Sequence, residues 1–349
     1  MDTDLLRQLR DHYEEAQQKG LSEEAAGDLI LRAVVTAAEQ TGPKVAASVL
    51  RNAPNILAGN RAERERVRQR VHERWGAQMD RYMVIRVICE EMCRDYRGRP
   101  NGSQLDPLFD ALALISASVL RIGLEVFNLL ENGYPAGALA RCRTLHELTV
   151  SAWILADYGR RPGLEGLGLR YLAHADARGW DKAQTWVKAG ASSQFDEAEL
   201  AALRERQNAA VRAFGGALKR DWGWAIPLFD TADDCTFAGL ERLADLSELR
   251  GHYSYASSYV HGGTEAVLLN LADEGSGKYM VVDATMEGFD MPLEMGRNAM
   301  ANTTAALLAG TATDDDPKPS VAVLLYALNA LLEDAEGENA QTEPPTKPA

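Results

Sequence analysis

Hydrophobic and polar positions recur with the period of an α-helix along almost the whole chain. Leu5, Leu6 and Leu9 open one amphipathic segment, Ala25 to Ala38 a second and Val45 to Ile56 a third, with Pro43 and Pro54 predicting breaks. From Arg61 to Arg74 the pattern becomes a charged run in which Glu63, Glu65 and Glu73 alternate with arginines, as in a solvated helix laced with i,i+4 pairs. The run continues into Trp75, Met79, Tyr82, Ile85, Cys89 and Met92, so the second half of this long helix is the buried half, and Gly98 and Pro100 stop it. The segment Arg97 to Ser103 is the sharpest break in the chain.

Two long apolar helices follow, Pro107 to Glu131 and Ala136 to Tyr158, with Asn132-Gly133-Tyr134-Pro135 as the turn of a hairpin. Further helix is predicted over Gly163 to Lys188, from Asp196 to Arg220, from Phe237 to Asp273, from Asn298 to Gly310 and from Ser320 to Leu332. Acidic Asp196, Glu197 and Glu199 suit the first turn of the second of these, where the helix dipole favours them. Lys278 to Ala284 is the only strand-like passage; it needs a partner strand or forms an extended lid. The expectation is an all-α, multi-helix bundle around a central long helical hairpin, with at most one short strand-like segment. It divides into an N-terminal helical layer (1–60), a core domain (61–312), a C-terminal helix (313–332) and a disordered tail (333–349), the last rich in Glu, Gly, Pro, Thr and Lys.

With 349 residues, 46% hydrophobic and 25% charged, the chain has the balance of a globular protein with a real core. Apolar runs such as Ala111 to Leu120 and Ala299 to Leu308 are shorter than the ~20 residues of a bilayer span, so no membrane anchor is expected. The acidic N-terminus lacks the features of a leader, which predicts a cytoplasmic protein. Four cysteines without a short-spaced framework suit free thiols; Cys89 and Cys93 lack further ligands for zinc, and no cofactor or metal is expected. The net charge of −14 argues against non-specific duplex binding, although the first hundred residues hold 17 Lys and Arg against 16 Asp and Glu. Trp153, Trp180 and Trp186 read as core, and Trp222-Gly-Trp224 with Pro227 as an aromatic loop that caps the core or stacks a ligand.

One constellation carries chemistry. Arg143 and Glu147 stand four apart on one helical face, on a helix otherwise made of Ala, Leu, Val and Trp. If exposed they form an ordinary ion pair; in the interior they require further partners. Tyr253, Ser257 and His261 are also spaced by four and form a stripe of hydrogen-bonding groups on one helix. Packed together, these side chains suit either a structural network that fixes helix register or a site for proton transfer or phosphate binding. Gly262 and Gly263, directly after His261, allow close backbone approach.

The run Trp75 to Cys93, the Arg143-Thr-Leu-His-Glu147 segment and the Tyr253, Ser257, His261, Gly262 segment together resemble a bacterial domain family of unknown function. Its pattern is a long N-terminal helix, then Arg-x-Leu-x-Glu, then Tyr-x-x-x-Ser-x-x-x-His, covering roughly residues 65 to 310. More distantly, Arg141-Cys-Arg-Thr-Leu-His146 is similar to the motif of the HEPN superfamily, an arginine and a histidine with four to six residues between them. That resemblance implies a metal-independent RNase of a toxin or phage-defence setting, with RNA as substrate. On one helix Arg141 and His146 diverge, so they would converge only across a homodimer interface. The resemblance gives His261 or His146 the acid/base role and Arg143 or Arg141 that of electrostatic clamp. The competing reading is a non-catalytic helical scaffold or sensor that acts through a protein partner.

Overall fold

The computed structural model describes residues 10–11, 13–15, 18–97, 106–190, 195–261, 264–268, 271–273, 278–280, 283–311 and 319–342. Leu5, Leu6, Leu9, Gly262, Gly263 and the 98–105 break lie outside these. The chain divides into two compact units, Met1–Arg66 and Val67–Ala349, a few residues beyond the expected end of the N-terminal layer.

The first helix, α1 (Glu23–Arg97), is continuous through Pro43 and Pro54, where breaks are predicted. A proline removes one backbone donor and crowds one carbonyl. The helix nevertheless passes through both positions. In the first unit Leu31 and Leu50 are exposed and Ala26 is buried.

In the second unit the hairpin is as the sequence predicts: α2 (Pro107–Glu131) and α3 (Pro135–Tyr158). Asp106 caps α2 by accepting from the backbone N–H groups of Leu108 and Phe109, and proline begins each helix where a missing N–H costs nothing. Between them Gly133 has φ +79°, and a Cβ there would lie 2.7 Å from that of Ala284. Its N–H donates to the Leu130 carbonyl, and its own carbonyl accepts from Thr285.

Against the hairpin pack α4 (Leu167–Lys188), α6 (Phe237–Leu243), α7 (Arg250–His261) and α9 (Asp290–Thr311), while α5 (Glu197–Phe214) packs on α4; α8 (Thr264–Leu268) follows α7 and α10 (Pro319–Thr342) packs on α9. Asp196 and Glu199 form a reciprocal capping box at the start of α5. The core joins Leu112, Ile115 and Val126 of α2, Leu145 and Leu155 of α3 and Leu293 and Leu307 of α9, each buried aliphatic side chain contributing about 1.5–3 kcal/mol. The second half of α1 enters the same core through Trp75, Tyr82, Ile85 and Cys89. Tyr82 is fully buried and its hydroxyl donates to the Gly123 carbonyl at 2.8 Å, so the polar tip is satisfied.

Several expectations are corrected. The region Phe237 to Asp273 is not one helix: it breaks into α6, a 3₁₀ turn at Ser247–Leu249, α7 and α8, and ends in a strand. That strand, β1 (Leu271–Asp273), pairs antiparallel with β2 (Lys278–Met280), Ala272 opposite Tyr279, and supplies the missing partner of the strand-like passage. The helix expected to reach Arg220 stops at Phe214, and Gly216–Lys219 and Gly223–Leu228 are 3₁₀ turns. α10 runs to Thr342, into the segment expected to be a disordered tail. Trp186 is exposed rather than core. By length and composition α2 is apolar enough to cross a membrane, although no single apolar run in it is; it is also the arm of the hairpin whose inner face is buried.

Candidate functional site

Four of the side chains read from the sequence meet where α7 lies on α3. Arg143 and Glu147 occupy successive turns of α3, and the guanidinium Nη2 lies 3.2 Å from Glu147 Oε1. From α7 the Tyr253 hydroxyl donates to that same carboxylate oxygen at 2.9 Å and accepts from Arg143 Nε at 3.2 Å. Two turns further along α7, His261 Nε2 sits 2.9 Å from Arg143 Nη1. A guanidinium only donates, so in this contact Nε2 is assigned as the acceptor, with the ring proton on Nδ1. Arg143 and Glu147 are about a quarter exposed, and His261 faces solvent. Burial, and next the hydrogen bond to Glu147, push the Tyr253 phenol above its ordinary range, so it stays protonated. Ser257 lies on the same stripe and makes no hydrogen bond to the cluster among the described residues.

Beneath this layer is a second polar group. His146 is 4% exposed and its Nε2 lies 2.9 Å from Oε1 of Glu241, which is 1% exposed. The other oxygen of Glu241 accepts from Arg250 Nη1 at 2.5 Å. Phe237 meets the His146 ring edge-on at 5.7 Å, and Tyr253 lies at the same distance on a tilt. Burial holds the His146 imidazole below the usual histidine range, against the opposing pull of its Glu241 hydrogen bond. The cavity that His146 lines measures about 20 Å³, too small for a substrate.

Arg141 points elsewhere: its guanidinium pairs with Glu125 on α2 at 2.8 Å. The chain therefore does not bring Arg141 and His146 to one surface; one is in an ion pair across the hairpin and the other is interior. Glu241 and Arg250 escape a reading of the sequence, because an acid in a seven-residue helix has no local mark of burial. Cys89, Cys93 and Cys142 are buried free thiols, and among the described residues no three His, Cys, Asp or Glu side chains are grouped to hold a metal ion.

On the other side of Glu147 opens a cleft of about 320 Å³ between α3, α4 and the 3₁₀ turn at Gly223–Leu228. His174, Arg178 and Lys182 of α4 line it, with Trp222 at its edge. Trp222 is half-buried and stacked on Phe237 at 5.2 Å, whereas Trp224 is buried and packs edge-on against Tyr171. Both loop tryptophans line the cleft, and Trp222 is the more exposed of the two.

Comparison with curated proteins and with solved structures finds no match. The stretch that carries the hairpin, the polar cluster and the cleft, residues 109–279, matches the model of DUF5677, a family of unknown function.

Proposed function

We propose that this protein processes RNA without a metal ion, the activity that the HEPN resemblance implies, with His261 and Arg143 as the working pair in place of the Arg141–His146 pair that carries that resemblance. One observation carries the reading: a solvent-facing imidazole is held with its Nε2 2.9 Å from a guanidinium nitrogen. In such a site His261 Nε2, once released by Arg143, accepts the proton of a ribose 2′-hydroxyl. The oxygen attacks the adjacent phosphorus, the bond to the 5′-oxygen breaks, and the leaving oxygen takes a proton from the Tyr253 phenol or from water. The products are a 2′,3′-cyclic phosphate and a 5′-hydroxyl. Arg143 stabilises the charge that builds on the phosphorane oxygens. His146 and Arg141 have no part in this chemistry, so it does not require the homodimer that would bring them together; the toxin or defence setting implied by the resemblance belongs to the same proposal.

The test is cleavage of mixed RNA in EDTA by the wild type, His261→Ala and Arg143→Ala. Cleavage that is lost in both variants at unchanged Tm supports the reading, and absence of cleavage by the wild type overturns it. A second reading, a scaffold whose cluster fixes helix register, is favoured by the complete pairing of Arg143: Nε, Nη1 and Nη2 each have a partner. It expects no cleavage and a lowered Tm in both variants.

A further inference from the structure

The cleft beside the polar cluster has no role in the proton chemistry above, yet its walls combine three features. The first is a pair of cations, one of them in an open ion pair with Asp221, which also lines the cleft. In a chain of net charge −14, Arg178 and Lys182 stand four residues apart on α4 and both line the cleft. Arg178 pairs with Asp221 at 2.8 Å, an acid that is itself 79% exposed, while Lys182 has no ion-pair partner among the described residues. An ion pair so open to water is worth little and can be exchanged for a stronger anion. The second is a flat ring: Phe237 covers one side of the Trp222 indole, and the indole borders the cleft. The third is a set of polar groups on the α3 wall, with the Glu147 carboxylate foremost.

The neighbouring His174 registers the local field. Its Nε2 lies 2.8 Å from the Arg220 carbonyl, which fixes that nitrogen as a donor. Burial holds its imidazole below the usual range, and the charges of Arg178 and Lys182 add to that effect. His174 is therefore neutral there and leaves the two cations as the positive centre.

The geometry points to a binding site for a nucleoside phosphate, the phosphate on Arg178 and Lys182, the base against Trp222 and the ribose hydroxyls toward Glu147. A volume of about 320 Å³ sits at the small end of ligand pockets and suits one nucleotide rather than a duplex. The same chemistry is offered by a free mononucleotide and by the terminal nucleotide of an RNA strand. Recognition does not depend on cleavage: Arg178, Lys182 and Trp222 lie outside the Arg143–His261 pair.

The experiment is a titration of the full-length protein, followed by tryptophan fluorescence, with adenosine 5′-monophosphate in one arm and a short 5′-phosphorylated single-stranded RNA in the other. Saturable quenching in either arm is expected, with Kd raised about tenfold or more in Lys182→Ala and Arg178→Ala, as loss of a charge-assisted phosphate contact implies. Trp222→Phe should bind with most of the quenching gone. Quenching by the mononucleotide assigns the site to a free nucleotide; quenching by RNA alone assigns it to a strand end. No saturation in either arm, or a Kd unchanged in both cation variants, overturns the proposal. Lys182 is exposed and its loss does not threaten folding. His261→Ala serves as the separating control: it should lose any cleavage and keep the binding.

Discussion

Removing the Glu241 carboxylate tests whether the buried polar layer holds α6 and α7 to the hairpin. In Glu241→Ala, His146 Nε2 and Arg250 Nη1 lose their shared acceptor at a position 1% exposed. Breaking a buried ion pair costs about 3–5 kcal/mol. Arg250 is 49% exposed and can turn to water, which lowers the expectation to about 3 kcal/mol. For a chain of 349 residues each kcal/mol shifts Tm by about 1–2 °C, so a fall of about 3–6 °C is expected. Glu241→Gln keeps the volume and an acceptor for His146 and loses only the charge, so it should cost about half as much. Thermal unfolding followed by circular dichroism measures both. A Glu241→Ala protein that melts within about 1 °C of the wild type would refute the reasoning, because a buried carboxylate with two close partners cannot be removed at no cost.

Other expectations follow from the same contacts. His146 and His174 are held neutral in the folded state, so below the ordinary histidine pKa of about 6.5 the unfolded chain binds more protons and stability falls as pH falls. Tm measured across that range should drop on the acid side, and drop less in His146→Gln. Tyr253→Phe removes the hydroxyl that joins Arg143 to Glu147 and should cost about 1 kcal/mol in denaturant unfolding, with no change in the core. Burial pushes the Cys89 thiol up to about 12 and that of Cys235 to about 11, and raises Cys142 further. A thiol reagent at mildly alkaline pH should therefore label native protein slowly and reach half-exposed Cys235 first. Gly123→Ala would bring a Cβ within 2.6 Å of Met300 Sδ, and calorimetry should show a loss of about 1–3 kcal/mol.

What the sequence makes legible depends on whether the signal is local. The hairpin is readable almost to the residue because Pro107, Asn132-Gly133 and Pro135 punctuate it and its apolar face repeats every three to four positions. Arg143, Glu147, Tyr253 and His261 are found for the same reason: fourfold spacing puts them on helical stripes, and two stripes of polar groups on apolar helices need each other. Ser257 shares the spacing without sharing the network. Pro43 and Pro54 mislead because a proline inside a helix removes one backbone donor without necessarily ending the helix, and α1 runs through both. Leu271–Asp273 is hidden because a three-residue strand has no period, and only its pairing with Lys278–Met280 defines it. Glu241 and Arg250 are invisible because burial of an acid is a property of the assembled helices. Arg178 and Lys182 look like any solvated helix face until the fold sets them in one cleft with Trp222.

The attachment of α7 has a consequence of its own. Of its twelve residues only Ala256 is buried, so apolar burial gives it little hold on the bundle. It is held instead by Arg250 to Glu241, Tyr253 to Glu147 and His261 to Arg143, all polar and two of them near the surface. Such contacts weaken with electrolyte and with protonation, whereas the packing of α2, α3 and α9 does not. The amides of α7 should therefore exchange with deuterium well before those of the hairpin, and faster still in high salt, because the helix that presents His261 lifts without unfolding the rest.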